Sequence, residues 1–164
     1  MKPHVLIALA VLSGSRVSPA APVEILPTPG QGVQPRALVA SDGSLQLVWY
    51  EGSEKGGDLW YAKRIEGRNF SKPLQVNGEP GTAVSAGTIR GAQAVIGKGE
   101  RVHVVWNGAM RHKRDRAPLY YTRLAADGKT FEPQRAMSGD WIMDGGGAVA
   151  ADSLGHVHVF YHGA

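Results

Sequence analysis

Residues 45–52 read LQLVWYEG, residues 102–108 read VHVVWNG and residues 157–163 read VHVFYHG. Trp49, Trp106 and Tyr161 hold matching places in these segments, Trp106 falling 57 residues after Trp49 and Tyr161 55 residues after Trp106. A second segment recurs in step: LWYAKRIEGRNF over residues 59–70 is answered by LYYTRLAADGKTF over residues 119–131. Leu59 and Leu119 are 60 residues apart, and Phe70 and Phe131 are 61 apart. Self-similarity at a nearly fixed period marks an array of supersecondary units.

Working outward from these segments, each unit reads as short strands joined by tight turns. In the first unit, strands are expected over residues 36–40, 45–50, 59–65 and 70–76. Ser41-Asp42-Gly43-Ser44 supplies the first turn, since Asp-Gly suits the positive φ of a two-residue hairpin loop. The second unit repeats the order with strands over 91–96, 101–106, 119–124 and 131–137. The third begins at Ala148, turns at Ser153-Leu154-Gly155 and runs through 156–161. No segment has the 3.6-residue periodicity of a helix.

Four short antiparallel strands per repeat of about 55–60 residues is the content of one β-propeller blade. Leu47-Val48-Trp49 and Val104-Val105-Trp106 are apolar at consecutive positions, which fits sheets covered on both faces. The expected fold is therefore all-β, with blades over residues 35–78 and 89–138 and half a blade over 147–164. An antiparallel sandwich also uses short strands and glycine-rich turns, but its strands need not recur at this period.

Two and a half blades do not close a ring, because closed propellers have about 4 to 8. An open array leaves a blade face in water at each end, at a cost of about 1.5 to 3 kcal/mol for each large apolar side chain. The expectations are a longer propeller, a disrupted reading frame, or self-association that covers the exposed faces.

The chain has 164 residues, no cysteine, 22 glycines and 10 prolines. Lacking cysteine, it has no disulfide, thiolate metal site or thiol nucleophile. Lys2, the apolar run over residues 5–12 and the small residues ending Ser18-Pro19-Ala20 have the form of a secretory signal peptide over residues 1–20. The run of eight apolar residues is far below the roughly 20 needed to span a bilayer. The expected location is secreted or periplasmic, with no membrane association after cleavage. Without residues 1–20 the chain keeps 16 basic and 14 acidic residues. So small an excess does not point to a nucleic-acid partner. Residues 21–34, rich in proline and glycine, form an extended lead-in.

The turn Ala126-Asp127-Gly128-Lys129-Thr130-Phe131 resembles the Asp-box of neuraminidase repeats, Ser-x-Asp-x-Gly-x-Thr-Trp. Asp127 and Phe131 stand four apart where the box has five, and the first unit retains only Gly67 and Phe70. With the repeats, the chain from residue 34 onward resembles the sialidase-like β-propellers of secreted bacterial proteins. In that family the Asp-box pins a hairpin on the face opposite the active site.

The resemblance implies an exo-sialidase-type glycoside hydrolase: three arginines hold the substrate carboxylate, an aspartate is general acid/base, and a tyrosine paired with a glutamate attacks. It implies no metal and no cofactor. The family's first arginine lies in an Arg-Ile-Pro element at the start of the first blade; Pro35-Arg36-Ala37 occupies a comparable place in a different order, which makes Arg36 a candidate, and Arg90 enters the second blade as a second candidate. A guanidinium suits this task because it grips a carboxylate through two parallel hydrogen bonds. Asp144, in Trp141-Ile142-Met143-Asp144-Gly145-Gly146-Gly147, is the candidate acid. Arg90 also reads as an inter-blade salt bridge or backbone clamp, and Asp144 as a residue of an Asx-type turn leading into the third blade. The tyrosine nucleophile belongs to blades this chain lacks, so the catalytic set is incomplete. The rival reading is a noncatalytic glycan- or protein-binding propeller, and a third is a truncated product without activity of its own.

With strands alternating up and down, residues 51–58, 77–90, 107–118 and 138–147 are expected on one rim, where a carbohydrate or glycoconjugate would bind. His156 and His158 share one strand face, a spacing open to a metal, but His103 recurs at the position of His158 as a packing residue does. The basic run over residues 111–116 reads as a solvated loop tip or as an attractor of acidic glycans.

Overall fold

The computed structural model describes residues 21–67, 69–86, 91–109, 117–138 and 146–162. Residues 1–20, expected to be a signal peptide, and Arg90, Asp144 and the basic run over 111–116 lie outside them. Eleven strands follow in order: β1 (Val33–Val39), β2 (Leu45–Ser53), β3 (Gly56–Glu66), β4 (Asn69–Phe70), β5 (Leu74–Gln75), β6 (Ala92–Ile96), β7 (Val102–Asn107), β8 (Leu119–Arg123), β9 (Arg135–Ala136), β10 (Ala148–Ala151) and β11 (Val157–Phe160). The fold is all-β; among the described residues the sole helical element is one 3-10 turn at Lys98–Glu100, and no helix can cross a membrane.

The strands make three antiparallel sheets, none of them closed. The first runs β1-β2-β3 with β4 and β5 both on the outer edge of β3; the second runs β6-β7-β8-β9; the third is the β10-β11 hairpin. Expected fourth strands over 70–76 and 131–137 are shorter than the sequence suggests. Pro73 divides β4 from β5 and Pro133 leaves only Arg135–Ala136 paired, because proline has no N–H to give to the ladder.

Turn chemistry holds the hairpins. Asp42 Oδ1 accepts the Ser44 N–H at 2.8 Å while Gly43 adopts φ 78°. Asp127 Oδ1 accepts the Lys129 N–H at 2.9 Å, and Ala125 N–H donates to the Thr130 carbonyl at 2.8 Å. Asp152 Oδ1 accepts three N–H groups, from Leu154, Gly155 and His156, at 2.8–2.9 Å. Each aspartate thus satisfies amide groups that the tight turn turns away from the ladder.

β2 and β7 are buried on both faces, so their apolar side chains alternate between two neighbours. Val48, Tyr50, Leu59 and Tyr61 of the first sheet pack on Ala92, Ala94, Val102, Val104 and Trp106 of the second. On its opposite face the second sheet sets Val105, Leu119 and Tyr121 against Val149, Val157 and Val159 of the third. The layers therefore stack in chain order. Phe131, directly after the Asp127 turn, meets the Tyr61 ring edge-on at 5.6 Å and ties the second unit to the first. The first strands also gather, β6 lying against β1 on one side and β10 on the other.

The two ends of the stack differ. Beyond the first sheet lies the lead-in: Leu26, Pro27 and Thr28 face Leu45, Leu47 and Phe70 across a shallow cavity, and Gly32 is seated against the Trp49 indole. A Cβ at residue 32 would fall 2.1 Å from Trp49 Cδ1, so no side chain fits there. Beyond the third sheet Phe160 is 62% exposed.

Candidate functional site

Loops expected on one rim do meet at one end of the stack where they are described. The link after β5 passes between the β2–β3 hairpin and the end of β7, with Ala83 bridging both Gly57 and Gly108. Gly57 and Ala83 exchange two backbone bonds, at 2.9 and 3.1 Å, and Ala109 N–H donates to the Thr82 carbonyl at 2.9 Å.

Polar side chains behind this junction are committed to holding it. Asn77 is buried; its Oδ1 accepts the Leu59 N–H, and its Nδ2 donates to Asp58 Oδ1, both at 2.8 Å. Asp58 Oδ1 also accepts the Gly81 N–H at 2.8 Å and Gln75 Nε2 at 3.2 Å. In the second unit Ser138 takes the place of Asn77, its Oγ accepting the Leu119 N–H at 3.0 Å. Asp58 is therefore the anchor of the link.

Arg36 lies in β1 opposite Val48, just after a register shift, and is exposed. It has no ion pair or side-chain hydrogen bond among the described residues. Gln34, at φ 51°, precedes it, and its Oε1, close to Gly91, is buried without a partner among the described residues. The entries to the first and second sheets thus adjoin near Arg36. Whether Arg90 and Asp144 join it lies outside the described residues.

The three buried tyrosines among the described residues are internal hydrogen-bonding groups. Tyr50 Oη donates to the Ser53 carbonyl at 2.6 Å, and burial followed by the Asp58 charge pushes its pKa up. Tyr61 Oη donates to Gln46 Oε1 at 2.7 Å, and burial raises its pKa too. Tyr121 Oη bonds His103 Nδ1 at 2.7 Å, with the Arg135 guanidinium 4.9 Å from the ring centre. A raised phenol pKa opposes formation of the phenolate a nucleophile requires.

At the opposite end of the stack, Glu132 accepts Arg123 Nε at 2.8 Å and Arg101 Nη2 at 2.5 Å. These bonds, Arg123 first, pull its carboxyl pKa down to about 2. It is a clasp between β8 and the preceding hairpin rather than an acid catalyst. His156 Nδ1 lies 2.8 Å from Asp152 Oδ2, and His158 Nε2 lies 3.7 Å from the same oxygen. His156 and the turn amides hold that carboxyl well below the usual carboxylate range. Among the described residues no group of three or more histidine or acidic side chains is placed to hold a metal.

One site escaped the sequence reading. On the outer face of the first sheet, Gly30, Trp49, Glu51, Trp60, Lys72 and Pro73 line an open cavity of about 260 Å³. The Trp49–Trp60 cross-strand pair was its only sequence signal, and it needs the β2–β3 register to be seen. Comparison of the chain with protein-family models, with curated proteins and with solved structures gave no match.

Proposed function

We propose that the three sheets are successive blades of a sialidase-like β-propeller, exported from the cell, that recognises carbohydrate at the rim formed by Gly57, Ala83 and Gly108. The observation that carries this reading is Arg36: exposed, without a counter-ion among the described residues, and at the entry to the first sheet. A guanidinium so placed has its donors free for the carboxylate of an acidic sugar. The one-directional stacking of the sheets and the meeting of their first strands support the blade assignment.

Binding without hydrolysis is favoured over catalysis by the tyrosines. Tyr50, Tyr61 and Tyr121 are each spent on an internal bond, Tyr120 stacks on Trp106, and neither these nor the exposed Tyr161 is paired with a glutamate among the described residues. The test compares wild type with Arg36→Ala on a fluorogenic sialoside and, by calorimetry, on N-acetylneuraminic acid. The expected result is saturable binding that Arg36→Ala abolishes, with no turnover above buffer. Turnover by wild type supports the hydrolase instead, and equal binding by both proteins removes Arg36 from the site.

A further inference from the structure

The aromatic pair on the second and third strands is treated differently in the two complete sheets. In the second sheet Trp106 and Tyr120 stack at 5.5 Å, and Trp106 packs into the first sheet. In the first sheet the matching pair, Trp49 and Trp60, faces away from the stack. The lead-in covers Trp49 with Gly32 and Thr28 but leaves Trp60 half-buried, and the cavity opens beside it.

One wall of this cavity is held by a side-chain hydrogen bond. Trp49 Nε1 donates to Glu51 Oε1 at 2.9 Å, which sets the carboxylate beside the indole. Gly30, at φ 64°, closes the near side: a Cβ there would sit 2.4 Å from Glu51 Oε1. The lead-in turn, closed by the Gly32 N–H on the Pro29 carbonyl at 3.2 Å, is thus fitted to both Trp49 and Glu51. Glu51 Oε2 has no partner among the described residues, and neither has the exposed Lys72 ammonium.

We infer that this cavity binds the ring of a neutral pyranoside. Its volume of about 260 Å³ lies just below the about 300 to 1,000 Å³ of sites for drug-sized ligands, which suits a single sugar ring. Trp60, Pro73 and the Trp49 edge offer an apolar wall for the C–H face of the ring, and Glu51 and Lys72 supply an acceptor and a donor for its hydroxyls. The two opposite charges on the lining select against other occupants. Lys72 repels a cation drawn to the indole, and Glu51 repels an anion drawn to the ammonium. An uncharged ligand that both donates and accepts hydrogen bonds meets all four groups. The site is separate from Arg36, and it requires the outer face of the first sheet to stay uncovered.

The experiment titrates the full chain with methyl β-D-glucopyranoside, methyl β-D-galactopyranoside and methyl α-D-mannopyranoside, with choline and acetate as charged controls. Tryptophan fluorescence and saturation-transfer NMR are the readouts. At least one pyranoside is expected to bind saturably, with neither control competing. Trp60→Ala should abolish that binding, and Glu51→Gln should weaken it about tenfold, the loss expected when a charge-assisted hydrogen bond becomes a neutral one. Should Trp60→Ala fail to fold by circular dichroism, Gly30→Ala and Lys72→Ala test the same walls and are each expected to weaken binding. Arg36→Ala is expected to leave pyranoside binding unchanged, so loss of the rim site and loss of this one are told apart. Failure of all three pyranosides to saturate at their solubility limits, displacement by choline or acetate, or binding untouched by the Trp60, Gly30 and Lys72 variants would overturn the assignment.

Discussion

The first and second sheets keep the same hydrogen-bonding plan but carry it out with different chemistry. In the first, Tyr61 Oη meets Gln46 Oε1 at 2.7 Å; in the second, Tyr121 Oη meets His103 Nδ1 at 2.7 Å. The amide of Gln46 does not titrate, whereas the imidazole of His103 does. The indoles diverge too. Trp49 Nε1 is satisfied by Glu51, while Gly108 stands where Glu51 would recur and Trp106 Nε1 is buried with no partner among the described residues. The Tyr61–Gln46 bond of the first repeat therefore does not respond to pH, whereas the Tyr121–His103 bond of the second is sensitive to acid.

The sharpest way to break this comparison is to delete the aromatic that recurs in each unit. Trp106 is 1% exposed between two sheets, whereas Tyr161, its counterpart in the third unit, is 43% exposed. Trp106→Ala is expected to cost about 3–5 kcal/mol, read by urea denaturation, and Tyr161→Ala to stay within about 0.5 kcal/mol. Equal costs would show that the stack continues no more tightly at its centre than at its exposed end.

A smaller effect sharpens the contrast between Gln46 and His103. Burial, then Arg123 and Arg101, depress the His103 pKa below its ordinary value of 6.5. The unfolded chain takes up this proton as pH falls through 6.5 and the folded chain does not, so wild type loses stability on acidification, by at most about 1.4 kcal/mol per pH unit. His103→Gln, which copies the first sheet, is expected to flatten thermal stability between pH 6.5 and 5. Glu132 has the same sign lower down: its bonds to Arg123 and Arg101 stabilise the fold above pH 4.5 and are lost toward pH 2, alike in both proteins. An unchanged pH profile in His103→Gln would mean that the imidazole is not held neutral in the fold.

Much of the architecture was written in the repeats. Strand positions and the turns at Asp42, Asp127 and Asp152 follow from local chemistry, since a carboxylate that bonds its own turn amides needs no distant partner. Other features were not legible. Residues 47–49 and 104–106 are apolar on both faces, so alternation alone does not say which face meets which sheet. Pro73 and Pro133 shortened the fourth strands more than their apolar neighbours suggested. The cavity at Trp60 was hidden because its near wall comes from the lead-in, whose docking depends on two glycines about 20 residues upstream of the strand they touch. Of the rim candidates, Arg36 is found exposed at the expected entry strand, while the arginine and acid proposed to join it fall outside the described residues.

The central structural claim is that the sheets stack face to face in chain order, and the contact of Tyr61 with Phe131 tests it most directly. These rings come from different repeats and meet edge-on at 5.6 Å across the first interface. A double-mutant cycle with Tyr61→Leu and Phe131→Leu, measured by urea denaturation, is predicted to give a coupling of about 0.5–1.5 kcal/mol, the range of a buried aromatic pair. Coupling indistinguishable from zero, with both single variants folded, would contradict the stacked arrangement.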